Sequence, residues 1–207
     1  MATTKSKILF VTVGTTKFEK LIKAVCEVDF LDLIHELKYD ELRIQYGPEG
    51  KPPIFRTSEA AAASGTRSDR KEGSAPSSSS LPLRGTIRRN ITWKGTKTLC
   101  VEYFPIKKSI SKDLRDAALV VGHAGAGTIL ETLRVRTKLL VVTNEDLMDN
   151  HQSELAEAME HGNYLAKSTL PTLIEAIQVV EKRNFMSYPA PDGSKFRWLI
   201  ESELGLS

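Results

Sequence analysis

The chain has 207 residues, of which 41% are hydrophobic and 27% charged, with a formal net charge of +3. This composition is typical of a globular protein with one well-buried core. It excludes a membrane-spanning helix, because no apolar run approaches the roughly 18 residues required. It also excludes a disulfide framework, because Cys26 and Cys100 are the only cysteines.

The positive charge is concentrated in one segment. Residues 51–97 hold ten Lys or Arg against three Asp or Glu, a balance of +7, so the rest of the chain carries −4. Residues 58–82 are rich in Ser, Ala, Gly and Pro and lack aromatic side chains. This composition predicts a disordered basic insertion at about 51–97, with its core at 58–82, in an otherwise single domain of residues 1–207. A solvated loop is the simplest interpretation, and contact with anionic lipid or RNA is the alternative.

Outside this insertion, apolar strands alternate with amphipathic helices. The first run, KILFVTVG at residues 7–14, predicts a strand covered on both faces. Further strands are predicted at residues 41–46, 98–104, 118–122, 139–142 and 164–166. Helices are predicted at residues 18–25, 30–37, 109–117, 127–135, 150–161, 170–181 and 194–203. This order predicts an α/β fold with a doubly wound, mostly parallel, Rossmann-like sheet.

A glycine and two threonines, Gly14, Thr15 and Thr16, directly follow the first predicted strand. A turn from a strand into a helix leaves amides and hydroxyls pointing outward, which suits contact with a phosphate. A plain tight turn between the two elements explains the same residues equally well. Both interpretations stay open here.

A second glycine-rich turn, HAGAGT, is more informative. Gly125 and Gly127 flank Ala126, so the backbone can pass close to a phosphate, and Thr128 adds a hydroxyl. The dinucleotide fingerprint fails, because its third glycine position holds Leu130, and no Walker lysine follows. The turn therefore predicts a nucleotide or nucleotide-sugar site of another kind.

Two polar side chains flank this turn. Glu131 lies one turn into the following helix, where a carboxylate can accept two hydrogen bonds from a ribose diol. The alternative is a helix-dipole partner worth under about 1 kcal/mol, and the neighbouring glycines favour the ribose role. His123 ends the preceding strand and is a candidate phosphate or sugar ligand, a candidate base, or a structural residue.

The run Asp149, Asn150, His151 and Gln152 opens a predicted helix. One of the first two residues suffices as an N-cap, and the additional amide and imidazole groups suit recognition of sugar hydroxyls. No Cys/His spacing predicts zinc, and no G-x-S-x-G nucleophile motif occurs. The two tryptophans are isolated and form no stacking platform for nucleic acid. We therefore expect no metal, no cofactor and no nucleic-acid partner.

Three motifs together resemble a known family. FVTVGTT, HAGAGTILE and LMDNHQSELA resemble the C-terminal, donor-binding half of a GT-B glycosyltransferase. More narrowly, they resemble the catalytic subunit of the two-part UDP-N-acetylglucosamine transferase of dolichol-linked oligosaccharide synthesis. The resemblance covers residues 7–46 and 99 to about 177, and the basic insertion is a departure from it.

The resemblance implies roles for the residues of these motifs. The diphosphate would bind at two turns, Glu131 would bind the ribose, and the start of the helix at 150 would face the sugar. The residues of the first turn are Gly14, Thr15 and Thr16, those of the second are Gly125, Ala126, Gly127 and Thr128, and those facing the sugar are Asn150, His151 and Gln152. His123 is the candidate base in this chain, and a base from another chain is the alternative.

The reaction implied by the resemblance transfers N-acetylglucosamine from UDP-N-acetylglucosamine to N-acetylglucosaminyl-diphosphodolichol, forming a β1,4 linkage with inversion. A membrane-anchored subunit would supply the acceptor domain and recruit the chain to the cytosolic face of the endoplasmic reticulum. Residues 195–200 would dock on that subunit or on their own domain. A non-catalytic nucleotide-binding module and a Rossmann-type oxidoreductase are the alternatives, and the missing third glycine argues against the latter.

Overall fold

A computed structural model of the chain describes residues 6–56, 86–143 and 150–189. The strands are β1 (Ile8–Thr12), β2 (Glu41–Gln45), β3 (Ile87–Trp93), β4 (Lys97–Phe104), β5 (Ala117–His123), β6 (Lys138–Val142) and β7 (Ala166–Ser168). The helices are α1 (Glu19–Ala24), α2 (Val28–Glu36), α3 (Ser111–Asp116), α4 (Ala126–Arg134), α5 (Asn150–His161) and α6 (Leu173–Lys182).

The strands form one seven-stranded sheet in the order β3-β4-β2-β1-β5-β6-β7. Every pairing is parallel except that of β3 with β4. Chain order reverses at β1, which pairs with β2 on one side and β5 on the other. Such a reversal leaves a crevice at the carboxyl ends of the strands. The predicted doubly wound, mostly parallel α/β fold is confirmed.

Both faces of the sheet carry apolar cores, because side chains alternate along each strand. On β1, Leu9 and Val11 belong to one cluster and Phe10 to the other, and all three are fully buried. Helices α1, α2 and α6 contribute to the first cluster, and α3, α4 and α5 to the second. Burial of each large side chain contributes roughly 1.5–3 kcal/mol. The central strands are therefore the most firmly held part of the fold.

Strand β3 corrects the predicted boundaries of the insertion. Residues 51–97 were expected to lie in a disordered segment, yet β3 pairs with β4 along its whole length. Trp93 is fully buried and donates a 2.9 Å hydrogen bond from Nε1 to Asp32 Oδ1. Phe55 is also buried in the core. The core of the predicted insertion, residues 58–82, lies outside the described residues.

Other boundaries differ by a few residues. The last strand begins at Ala166 rather than at 164, because the Tyr164 amide closes the end of α5 by bonding to the Met159 carbonyl. The helix predicted at 194–203 lies outside the described residues. Among the helices that the structure describes, none is long and apolar enough to cross a membrane.

Candidate functional site

A cleft of about 470 Å³ lies at the carboxyl ends of β1, β2, β4 and β5. It therefore occupies the position where the chain order of the sheet reverses. It is lined by Gly14, Thr15, Thr16, Gln45, residues 106–111, His123, Gly125, Gly127, Thr128 and Glu131. Both predicted glycine turns and the predicted ribose ligand are thus brought together around one space, although Ala126 of the second turn is not among the lining residues.

The glycines around the cleft have two different roles. Gly14 has a φ of +60°, and an added Cβ there would lie 2.6 Å from His123 Cε1. A Cβ on Gly125 would lie 2.3 Å from His123 Nε2. These two glycines are therefore required by the histidine ring, whereas the sequence suggested that Gly125 makes room for a phosphate. A Cβ on Gly127 would meet no atom within 4 Å, so this glycine borders open space.

A short series of hydrogen bonds fixes the turn after β1. The Gly14 amide donates to Thr12 Oγ1 over 3.1 Å, and the Thr12 hydroxyl donates to Gln45 Oε1. The Thr16 amide closes the turn by donating to the Val13 carbonyl over 3.1 Å. These bonds fix the backbone, which leaves the exposed Thr15 side chain at the cleft.

Helix α4 directs its N-terminus at the same cleft. Gly125 is its N-cap residue and provides no side-chain hydrogen bond to the first turn. The leading amides of a helix have no intrahelical acceptor, and they lie at the positive end of its dipole. Thr128 is buried in this turn, and Glu131 is exposed one turn later. The cleft therefore combines anion-binding amides with a carboxylate suited to a diol.

His123 lies beneath both glycine turns. Burial lowers the pKa of its imidazole, and a backbone hydrogen bond with Thr12 opposes that effect without cancelling it. Its Nδ1 atom is buried and has no hydrogen-bond partner. The ring is therefore neutral at pH 7, the form in which a histidine can accept a proton.

Two adjacent lysines border the cleft and differ in their surroundings. Lys107 Nζ lies 3.1 Å from Glu102 Oε1, 3.0 Å from Asp113 Oδ1 and 3.7 Å from the centre of the Phe104 ring. Lys108 is exposed and forms no ion pair within the described part of the chain. Lys107 therefore anchors the loop after β4, and the charge of Lys108 is left for the cleft.

The carboxylates that bind Lys107 also belong to a buried ion-pair network around Arg43. Arg43 Nη2 lies 2.7 Å from Glu41 Oε1, and its Nη1 lies 2.9 Å from Asp113 Oδ1. Burial alone would lower the pKa of Arg43, but the surrounding carboxylates, Glu102 included, raise it. Removing one member of such a network leaves an unpaired buried charge, which costs about 3–5 kcal/mol. The loop at the cleft is therefore fixed to β2, β4 and α3.

Gln45 and residues 106–111 line the cleft but were not predicted as site residues. They follow or end strands β2 and β4, and the carboxyl ends of parallel strands share one edge with β1 and β5. That topological signal could have identified them. Asn150, His151 and Gln152 begin α5 as predicted, but their side chains lie outside the description, so their role stays a prediction. Within the described ranges, no group of His, Cys, Asp or Glu is arranged to hold a metal.

The sequence profile of the glycosyltransferase family 28 C-terminal domain matches residues 86–200. The chain belongs to this family. It is 35% identical to UDP-N-acetylglucosamine transferase subunit ALG13 of Candida glabrata, over 84% of this chain and 85% of that protein. The Saccharomyces cerevisiae subunit of the same name is 29% identical, over 98% of both chains. The human subunit is 33% identical over 81% of this chain, which spans 11% of the length of the human and mouse relatives.

Solved structures agree with this membership. An NMR structure of ALG13 has a TM-score of 0.60 and 26% identity, covering 94% of this chain and 95% of that one. MurG of Acinetobacter baumannii has a TM-score of 0.59 and 12% identity, covering 97% of this chain and 50% of MurG, and supports the fold alone. The family resemblance predicted from the three motifs is confirmed.

Proposed function

We propose that this chain is the donor-binding subunit of a UDP-N-acetylglucosamine transferase. The relatives that match it over most of their own length are named as subunits of that enzyme. The observation that carries the proposal is the combination, in one cleft, of an uncapped α4 N-terminus, open space beside Gly127, and the exposed carboxylate of Glu131. A nucleoside diphosphate has the matching groups, an anionic diphosphate next to a ribose diol.

In this proposal, the diphosphate lies between the α4 N-terminus and the turn formed by Gly14, Thr15 and Thr16. Amides and hydroxyls bind its oxygens, and Lys108 adds a positive charge. Glu131 accepts hydrogen bonds from the ribose hydroxyls, and the base lies against the loop of residues 106–111. The sugar extends toward Asn150, His151 and Gln152 at the start of α5.

The proposed reaction is a direct displacement at the anomeric carbon of N-acetylglucosamine. A hydroxyl oxygen of N-acetylglucosaminyl-diphosphodolichol forms the new β1,4 bond, the bond to UDP breaks, and the configuration inverts. Negative charge develops on the leaving diphosphate, which the α4 N-terminus stabilises. The hydroxyl proton passes to a general base. His123 is the candidate in this chain, because burial keeps its imidazole neutral.

The acceptor is a lipid, and we propose that a membrane-anchored subunit binds it and supplies the second wall of the catalytic cleft. The word subunit in the names of the relatives supports a partner of this kind. Through that partner the chain would work at the cytosolic face of the endoplasmic reticulum. Residues 195–200, with an apolar helical face predicted from the sequence, are a candidate docking element.

A thermal-shift screen tests the donor assignment. The full chain is heated with UDP-N-acetylglucosamine, UDP, NAD or ATP, each at a concentration well above a micromolar dissociation constant. Ligand that binds only the folded state raises Tm by mass action. We expect UDP-N-acetylglucosamine and UDP to raise Tm, and NAD and ATP to leave it unchanged. Stabilisation by NAD alone would instead indicate a dinucleotide-binding protein.

A further inference from the structure

A second groove, of about 320 Å³, lies outside the donor cleft. It is formed between α1, the end of β2 and residues 50–56. Its lining comprises Glu19, Ile22, Lys23, Glu27, Tyr46, Gly50, Lys51, Pro52, Pro53, Ile54 and Arg56. The proposed transfer reaction uses none of these residues.

The segment of residues 50–56 is anchored to the domain but leaves the side chain of Ile54 exposed. The Arg56 amide donates to the Cys26 carbonyl over 3.2 Å, which ties this segment to the end of α1. Phe55 is 7% exposed, and the Arg89 guanidinium lies 5.8 Å from the centre of its ring. The neighbouring Ile54 is 83% exposed at the rim of the groove. An apolar side chain is thus presented to the outside by a well-anchored segment.

The charges around this groove do not balance. Its two acidic residues already have basic partners, Glu19 with Lys17 at 3.4 Å and Glu27 with Arg56 at 3.5 Å. Lys23 and Lys51 are exposed and form no ion pair within residues 6–56, 86–143 and 150–189. The groove therefore has an apolar floor and an excess of positive charge at its rim.

The groove and the donor cleft lie at the same edge of the sheet. Tyr46 lines the groove, and Gln45, one residue earlier, lines the cleft. At Gly47 the turn after β2 packs against the turn after β1, since a Cβ added to Gly47 would lie 2.8 Å from the Thr16 carbonyl oxygen. A surface that contacts the groove would therefore lie next to the opening of the cleft.

We propose that this groove is a membrane-contact site for anionic phospholipid. Exposed apolar side chains insert at the boundary between headgroups and acyl chains, and basic residues are attracted to a negatively charged bilayer surface. The groove presents both, in Ile54 and in two lysines that have no ion-pair partner among the described residues. Ile54 enters the boundary between headgroups and acyl chains, and Lys23 and Lys51 pair with lipid phosphates. Under the proposed function, this contact would hold the donor cleft beside a lipid-linked acceptor, but the lipid contact itself is independent of that function.

Vesicle flotation of the full chain tests this site. The vesicles contain phosphatidylcholine alone, or phosphatidylcholine with roughly 30% phosphatidylserine. We expect the chain to float with the anionic vesicles only. The double variant Lys23→Glu with Lys51→Glu should lower the partition coefficient roughly tenfold or more, because each basic residue near such a surface contributes to binding. Ile54→Ser should lower it roughly fivefold, because apolar area is lost from the interface.

Matched variants on other elements provide the control. Arg134→Glu with Lys182→Glu changes the same charge, and Val179→Ser removes an apolar side chain that is 60% exposed on α6. All variants retain the basic residues of 57–85, so any background binding from that segment is common to them. Flotation lost equally in the control and groove variants, or absent in the unmodified chain, would overturn the proposal and leave the groove to a protein partner.

Calorimetric titration with UDP separates this proposal from the donor assignment. Lys23, Lys51 and Ile54 lie outside the donor cleft, so we expect their variants to bind UDP as the unmodified chain does. Normal UDP binding with lost flotation supports the membrane site. Normal flotation without UDP binding, in the unmodified chain, would contradict the proposed function and leave the membrane site standing.

Discussion

At the scale of single residues, Glu131 is the sharpest test of the donor cleft. It is exposed, lines the cleft and forms no ion pair with a described residue. We expect Glu131→Ala to weaken UDP binding by more than about 2 kcal/mol, because a charged acceptor of ribose hydrogen bonds is lost. Titration calorimetry measures this change. Glu175→Ala, at an exposed position of α6, is the matched control, and an unchanged UDP affinity in folded Glu131→Ala would reduce Glu131 to a helix-dipole partner.

Substitution of the two adjacent lysines of the cleft should change two different properties, UDP affinity for Lys108 and the free energy of unfolding for Lys107. We expect Lys108→Ala to lower UDP affinity, with a difference that shrinks at high salt because exposed charges are screened. Lys107→Ala should instead lower the free energy of unfolding, because Glu102 and Asp113 lose a shared partner. Calorimetry and urea unfolding of both variants make the comparison. A stability loss for Lys108→Ala equal to that for Lys107→Ala would contradict this division of roles.

His123 should make the folded protein sensitive to acid. Because its pKa is lower in the folded state than in the unfolded chain, the unfolded chain binds more protons as pH falls. Its contribution to stability is therefore complete above the unfolded pKa of about 6.5 and declines as pH falls below that value. We expect urea unfolding between about pH 7.5 and pH 5.5 to show a flatter profile for His123→Asn than for the unmodified chain. Parallel profiles would show that His123 does not titrate in this way.

At the scale of elements, strand β3 shows that the predicted insertion must end before Ile87. Deleting residues 58–80 should leave Tm nearly unchanged, because the sequence predicts a loop there and loop length has little effect on stability. Trp93→Ala should instead cost about 3–5 kcal/mol, because it empties a fully buried site. Thermal and urea unfolding of the two variants compare the segments directly. A large fall in Tm on deletion would mean that residues 58–80 pack against the domain.

Most elements of the fold could be predicted from the sequence. Strands β1, β5 and β6 are largely apolar runs, as expected for strands buried on both faces. Strands β2 and β4 alternate apolar with polar residues, which is the other pattern typical of a strand. Strand β3 could not be predicted in this way, because four of its seven residues are exposed and two of them are arginines. An antiparallel edge strand is stabilised by pairing with its neighbour, and a local apolar pattern does not report that pairing.

The candidate site was likewise predicted only where a local sequence pattern reports it. The turns at Gly14 and Gly125 were found because glycine is a strong local signal. Glycine is needed at both positions because a Cβ would meet the ring of His123. That contact joins separate strands and could not be predicted from the sequence. Residues 106–111 were missed as site residues because they carry no ligand-binding motif and reach the cleft only through the order of the strands.

At the scale of the whole molecule, the described residues form one sheet with the candidate donor cleft at the carboxyl ends of its strands. A glycosyltransferase of the GT-B type closes its catalytic cleft between a donor domain and an acceptor domain. We therefore expect the purified chain to bind UDP but not to transfer N-acetylglucosamine to a dolichol-diphosphate acceptor. Addition of the membrane-anchored subunit should restore transfer.

A radiolabelled-donor assay with and without that subunit measures this dependence. Glu131→Ala, assayed in the reconstituted complex, serves as the control that the donor cleft of this chain is the one in use. Rapid transfer by the chain alone would contradict the need for a partner. Equal transfer by the Glu131→Ala complex would place the donor cleft elsewhere.

The packing of His123 against two glycines has a consequence for how related sequences can vary. Because the His123 ring occupies the space that a Cβ on either Gly14 or Gly125 would need, positions 14, 123 and 125 cannot change independently. A relative with a small residue at position 123 gains room for alanine at position 125, where φ is −70° and any residue is allowed. Position 14 keeps its preference for glycine in that relative, because φ there is positive whatever lies opposite. Substitutions at 123 and 125 should therefore occur as correlated pairs, with position 14 unchanged.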